Sequence, residues 1–295
     1  MIRLLGTFSK NGILSKILLL IGFSCIFTVL GVIVLTLFGI GSGADVRSLK
    51  LMQLVQSVAM FVLPPILLAY VGSDKPTAFL HFNRKVNPNH IGLVVVFMML
   101  IVPAINLLTS INQQLVLPKI FAGIEAQLKA TELQLAKFTE QMLSVRTIGA
   151  LGFNIFLIAI IPAFGEELFF RGAIQGIFRQ KMSARIAIWS TAVIFSAIHL
   201  QFYGFFPRMF IGAFFGYLLF WSESLWFPIV AHFTNNLLAI LFYYLKYNGY
   251  KVPDIDTIGT GNTLWLGIVS TAIAILGIFW LKNKLKIRNE VVSEA

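Results

Sequence analysis

Glu166 and Glu167 stand side by side in one of the most apolar stretches of the chain, Leu157 to Phe170, and Arg171 follows directly. An ionisable side chain inside a membrane span is costly, so three within six residues mark a functional site by default. Two of the four histidines share such surroundings: His199 ends the run Ile186 to Leu200, and His232 stands in the run Leu225 to Tyr244. Asn236 lies four residues beyond His232, hence on the same helix face. A carboxylate and an imidazole can hold and deprotonate a water, while a second imidazole and an amide can donate to an oxyanion. That is equipment for hydrolysing a peptide bond. Other routes fit less well, because there is no HExxH zinc helix, Cys25 lies far off in sequence, and no serine-protease pattern surrounds Ser196.

Spacing divides the polar set. Glu167 and Arg171 are four apart and can form a buried ion pair whose role is to stabilise a helix bundle. Glu166 is turned about 100° away, and a second carboxylate there adds desolvation and like-charge repulsion without structural return. Either histidine alone could be an interhelical hydrogen-bond contact. Asn235 is off the His232 face. If the polar group Arg179, Lys181, Ser183 and Arg185 is a turn, Glu166 and His199 are equidistant from it, and an antiparallel hairpin brings them to one level. That requires the helix bearing Glu166 to continue through Arg171.

The elements that must position these groups follow from hydropathy. With 58% hydrophobic and 12% charged residues, the chain is far more apolar than a soluble domain. The expected fold class is all-α, a polytopic membrane helix bundle of about eight transmembrane helices, near residues 17–40, 51–71, 91–108, 148–178, 185–201, 206–221, 225–244 and 263–281. The first apolar run is too long for a signal-peptide core and reads as an uncleaved anchor. With the N-terminus inside, the basic residues Arg3, Lys10, Lys16, Lys75, Arg84, Lys85, Arg179, Lys181, Arg185, Lys282, Lys284, Lys286 and Arg288 fall on the cytoplasmic side. The short outer segments hold Arg47, Lys50, Arg208, Lys246 and Lys251. Both termini are therefore expected to be cytoplasmic, in a bacterial-type cytoplasmic membrane. The net charge of +11 is explained by basic fringes on an anionic lipid bilayer rather than by nucleic acid. A single cysteine allows no intramolecular disulfide.

No linker divides the chain, so residues 1–295 are expected to form a single integral membrane domain. Within it, residues 110–146 form an outer segment whose Phe121, Ile124, Leu128, Leu135, Phe138, Met142 and Val145 recur at helical spacing among alternating charges. An amphipathic helix is expected, lying on the interface or packed on the bundle, with a lid or partner-binding role as the other reading. Pro64, Pro65, Pro103, Pro162 and Pro228 predict kinks. The pairs Gly172/Gly176 and Gly212/Gly216 read as sites of close helix packing.

Three short patterns now stand in order on successive segments: Glu166-Glu167-Leu-Phe-Phe-Arg171 as EExxxR, Phe195-Ser-Ala-Ile-His199 as FxxxH, and His232-Phe-Thr-Asn-Asn236 as HxxxN. Together they resemble the CPBP intramembrane proteases, which include type II CAAX prenyl endopeptidases and Abi bacteriocin-processing and immunity proteins. The resemblance covers the motif-bearing core, residues 149–244. It implies that Glu166 and His199 activate the attacking water, that His232 and Asn236 stabilise the tetrahedral intermediate, and that Glu167 and Arg171 support the site. It also implies a membrane-associated protein or peptide substrate. Family members are often labelled metalloproteases; if zinc is bound, Glu166, His199 and His232 are its ligands, but Asn236 is a poor zinc ligand and no cofactor is firmly expected. Two other classes compete. A non-catalytic immunity or scaffold protein could bind through the outer segment, and an ion-coupled transporter could use the same polar residues as a relay, although no second copy of the motifs marks an inverted repeat.

Overall fold

The computed structural model describes residues 4–40 and 45–286; Arg3 and Arg288 lie outside the described residues. Among the described residues the chain is helical, with no strand. The main helices are α1 (Ile13–Leu37), α2 (Val46–Gly72), α3 (Pro88–Leu100), α4 (Val102–Gln113), α5 (Ala122–Leu143), α6 (Ile148–Phe178), α7 (Ala184–Ala197), α8 (Phe205–Ser222), α9 (Trp226–Tyr247) and α10 (Leu264–Leu285). Among the described residues six segments are long and apolar enough to cross a membrane, and α3 with α4, bent by 43°, makes a seventh if the pair is one span. The expected eighth is α7, which has only 14 residues. At 1.5 Å per residue that is about 21 Å, short of a hydrocarbon core of about 30 Å. Leu200, with a φ of 54°, turns the chain out of the helix just after His199.

The core and the lipid-facing shell separate cleanly. Every residue from Leu168 to Gln175 of α6 is buried, whereas α1 buries only Lys16, Leu20, Ser24 and Leu35 along its length. Large apolar side chains such as Leu14, Ile21, Trp265 and Leu276 remain exposed on α1 and α10. Such a surface is stable against acyl chains and not against water, so the chain is an integral membrane protein.

Polar side chains from neighbouring helices stand at the breaks made by Pro64 and Pro103. Pro64 cannot donate to Met60, and Ser24 Oγ of α1 lies 3.4 Å from that carbonyl. Pro103 follows the α3/α4 bend, where Ser270 Oγ of α10 donates to Leu100 O at 2.7 Å and accepts from Ala104 N at 3.1 Å, standing in for the lost helical bond. Ahead of Pro64 and Pro162 the helix widens into π turns at Val58–Val62 and Ile155–Ile160, and a third π stretch occupies Leu168–Gln175.

Contacts sort the loops into two ends. At one end Gly6 N donates to Tyr70 O, Lys16 Nζ to Gln180 Oε1, Leu225 N to His81 O, and Arg84 pairs with Glu223. At the other, Tyr203 N donates to Glu132 Oε1 of α5 at 2.7 Å, Asn248 to Val145 O, and Lys246 pairs with Asp254 at 2.5 Å. The third span continues as α4 to Gln113, so the amphipathic helix expected on the outer side begins only at Ala122. Its inward face carries Glu125 and Glu132 beside Leu128, Leu135 and Phe138, while Phe121 and Ile124 are exposed. Two expected outer charges are also placed differently. Lys50 is buried, donating to Asn154 Oδ1 of α6 at 2.6 Å, and Arg208 lines an interior cavity.

Candidate active site

α6 runs unbroken from Ile148 to Phe178, so the condition for bringing Glu166 and His199 together is met. Glu167 and Arg171 form the expected pair, Arg171 Nη1 donating to Glu167 Oε1 at 2.7 Å with both side chains fully buried. Arg171 Nη2 donates onward to Gly212 O at 3.0 Å, and one turn later Gln175 Nε2 donates to Gly216 O at 3.1 Å. The Gly212/Gly216 pair therefore does more than let helices approach. A Cβ on Gly212 would stand 3.2 Å from the guanidinium and one on Gly216 2.7 Å from the Gln175 amide oxygen, so glycine is what opens these carbonyls to side-chain donors.

His232 joins the same carboxylate from α9. Its Nδ1 lies 2.9 Å from Glu167 Oε1, which fixes Nδ1 as the donor to a carboxylate already engaged by Arg171. The other ring nitrogen, Nε2, is 3.9 Å from Glu166 Oε2, too far for a hydrogen bond and the right order for one bridging water. The imidazole stacks on Phe215 with centroids 5.4 Å apart. Arg171, Glu167 and His232 thus make a hydrogen-bonded chain that stops 3.9 Å short of the Glu166 carboxylate.

The phenylalanine of FxxxH has a physical role. Phe195 and His199 are four apart at the end of α7, and His199 Nδ1 lies 2.7 Å from Phe195 O, so Nδ1 carries the proton and Nε2 is left as an acceptor. The Phe195 ring meets His199 edge-on at 5.1 Å and carries the Arg171 guanidinium over its face at 4.5 Å. One aromatic side chain holds two motifs in register.

Asn236 is held by a consequence of Pro162. That proline has no N–H to give Ile158, four residues before it, and Asn236 Nδ2 donates to Ile158 O at 3.1 Å. One amide hydrogen is used there, and the second remains for another acceptor. Glu166, His199, His232 and Asn236 all line one cavity of about 320 Å³; Glu167 and Arg171 do not line it and brace the groups that do.

Residues 149–238 match the Rce1-like type II CAAX prenyl endopeptidases. The matched segment runs from the start of α6 into α9, contains all three motifs, and is consistent with the CPBP resemblance. No curated protein and no solved structure matches the chain.

Around the CAAX-protease-like motifs the cavity wall is completed by residues that motif reading passed over: Thr109 of α4, Arg208 and Ile211 of α8, and Asn235. Asn235 reaches the cavity although it is off the His232 face, and its Nδ2 lies 3.3 Å from Asn236 Oδ1. Of these, Arg208 carried a signal in the sequence, a charge at the third residue of the expected span 206–221. A second, apolar cavity of about 450 Å³ between α3, α4, α8 and α10 shares Pro207 and Ile211 with the first. Among the described residues no three His, Cys, Asp or Glu side chains converge as a metal site requires, although His199 and His232, each with Nδ1 engaged, keep free the Nε2 that a zinc-bound histidine uses.

Proposed function

We propose that this chain is an intramembrane endopeptidase that hydrolyses peptide bonds of membrane-associated protein or peptide substrates, with residues 149–244 as its catalytic core. The observation that carries this reading is one cavity lined by a carboxylate, a histidine with a free Nε2, a second histidine and an amide. A water there has two acceptors for its two hydrogens, Glu166 and His199 Nε2. Glu166 removes the proton as the oxygen attacks the scissile carbonyl, and returns it to the leaving amine. Charge gathers on the carbonyl oxygen at that moment. Asn236 offers its second amide hydrogen, and His232, whose Nδ1–H is spent on Glu167, offers Nε2–H when the ring is doubly protonated. Glu167 and Arg171 hold that ring. The adjoining apolar cavity supports a substrate with an apolar group next to the bond that is cut.

Glu166→Gln tests the reading, since it removes the base and keeps the volume. In membranes carrying the variant, protein termini produced by the wild type should disappear, and hydrolysis by purified protein should fall by roughly 10² or more. Activity should also survive prolonged chelation. Turnover near wild type in well-folded Glu166→Gln would remove Glu166 as base, and activity lost and restored with stoichiometric zinc would replace the mechanism.

A further inference from the structure

The catalytic cavity does not end at Asn236. Thr109, Arg208 and Asn235 line both it and a neighbouring polar cavity of about 610 Å³ that is walled by Asn106, Ser110 and Gln113 of α4 and by the 255–260 loop. Arg208 stands at this junction. One of its two terminal guanidinium nitrogens, Nη2, is hydrogen-bonded to Gln201 Oε1, and the other, Nη1, is buried with no partner among the described residues. No carboxylate lies within ion-pair distance of it among the described residues. The one acid on the wall of the second cavity, Asp256, is taken by Tyr243 Oη at 2.9 Å. A buried donor nitrogen on a cation with no anion in contact is costly, and Glu166 and Glu132 act on the Arg208 charge only from beyond ion-pair distance. A guanidinium presents a planar fork of donors that matches a carboxylate, and Gln201 leaves that fork half free.

We infer that Arg208 is a specificity residue that receives a carboxylate of the bound peptide at the junction of the two cavities. The inference rests on the peptide-hydrolysis reading. The carboxylate is either the peptide's C-terminal group or an acidic side chain, and the two are separable. A mixed-sequence library of short apolar peptides is made as free acids and as C-terminal amides, each with and without one Glu-to-Gln exchange. It is offered to immobilised full-length Glu166→Gln protein, and retained peptides are read by mass spectrometry. Carboxylate-bearing peptides should be retained roughly tenfold better than their neutral counterparts, the scale of a charge-assisted hydrogen bond. A preference confined to the free acids assigns the terminus, and one confined to glutamate assigns the side chain. Arg208→Gln in the same background should erase the preference by lowering only the carboxylate-bearing class. Arg208→Lys, which keeps charge and loses the fork, should retain a reduced preference and serves if the glutamine variant does not fold. Equal retention of both classes, or an equal loss of both in Arg208→Gln, overturns the assignment, as does retention of neither. Turnover of the same library by wild-type protein is scored separately, so selective retention without turnover defeats the hydrolase reading and leaves Arg208 standing.

Discussion

At the scale of single residues, Arg171 has the most to lose. Its guanidinium joins Glu167, Gly212 O and the Phe195 face in one fully buried spot. Arg171→Ala strands the Glu167 carboxylate and is expected to destabilise by about 3 to 5 kcal/mol in thermal or denaturant unfolding of the purified protein. Replacing Glu167 and Arg171 together with apolar residues should restore most of that stability. It should not restore turnover, because His232 Nδ1 then has no acceptor to orient it. A double variant less stable than either single one would contradict a pair of this kind. Asn236→Asp keeps shape and removes both amide hydrogens. Turnover should drop by roughly 10² to 10³, with substrate binding little changed, as for a lost oxyanion donor; a change confined to KM would make Asn236 a binding residue instead.

At the scale of elements, the helices are built to be interrupted. Each break at a proline frees backbone groups, and in a low-dielectric bundle these must find partners. Ser270 answers the α3/α4 bend with both an accepted and a donated bond, so one hydroxyl ties α10 to the hinge. Ser270→Ala leaves Ala104 N and Leu100 O unpaired and is expected to lower stability by about 1 to 3 kcal/mol, measured by thermal unfolding in detergent. Unfolding indistinguishable from wild type would show that the hinge satisfies itself. On the other side of the site, α5 grips the turn after His199 through Glu132 and Glu125, the latter 3.2 Å from Tyr203 Oη. There Lys129 and Tyr203 hold the Glu125 carboxyl below its ordinary range, Lys129 foremost.

At the scale of the whole molecule, the bundle sorts its charges by end. Lys10, Lys75, Arg84, Lys85, Arg179, Lys181 and Arg185 gather where Arg84 meets Glu223, and α5 caps the opposite end. On the positive-inside rule we propose that the first end is cytoplasmic. Cysteine introduced at Lys181 should then react with membrane-impermeant reagents only from the inside, and cysteine at Lys129 only from the outside. Outer-side labelling of Lys181→Cys would invert the orientation.

The sequence by itself determined what is local. The Glu167–Arg171 pair follows from a four-residue spacing on one helix, and Phe195–His199 meet for the same reason, whatever surrounds them. The all-helical class and the hydrophobic spans were equally legible, because hydrocarbon leaves a single chain segment few ways to satisfy its backbone. What sequence left open was rotation and depth. Each π turn adds a residue to the helical repeat and so swings the following side chains by about 100°, and three such stretches lie in α2 and α6. The union of His232 with Glu167 rather than Glu166 and the Ile158 carbonyl that fixes Asn236 depend on that rotation of α6, whereas Asn235 reaches the cavity from α9, which has no π stretch. Arg208 was legible as a charge at the start of an expected span, yet only the packing of α8 against α4 and α9 set it on the wall of two cavities. The shortness of α7 was likewise decided in three dimensions, where Leu200 turns the chain so that His199 faces Glu166 across the cavity rather than ending a full span.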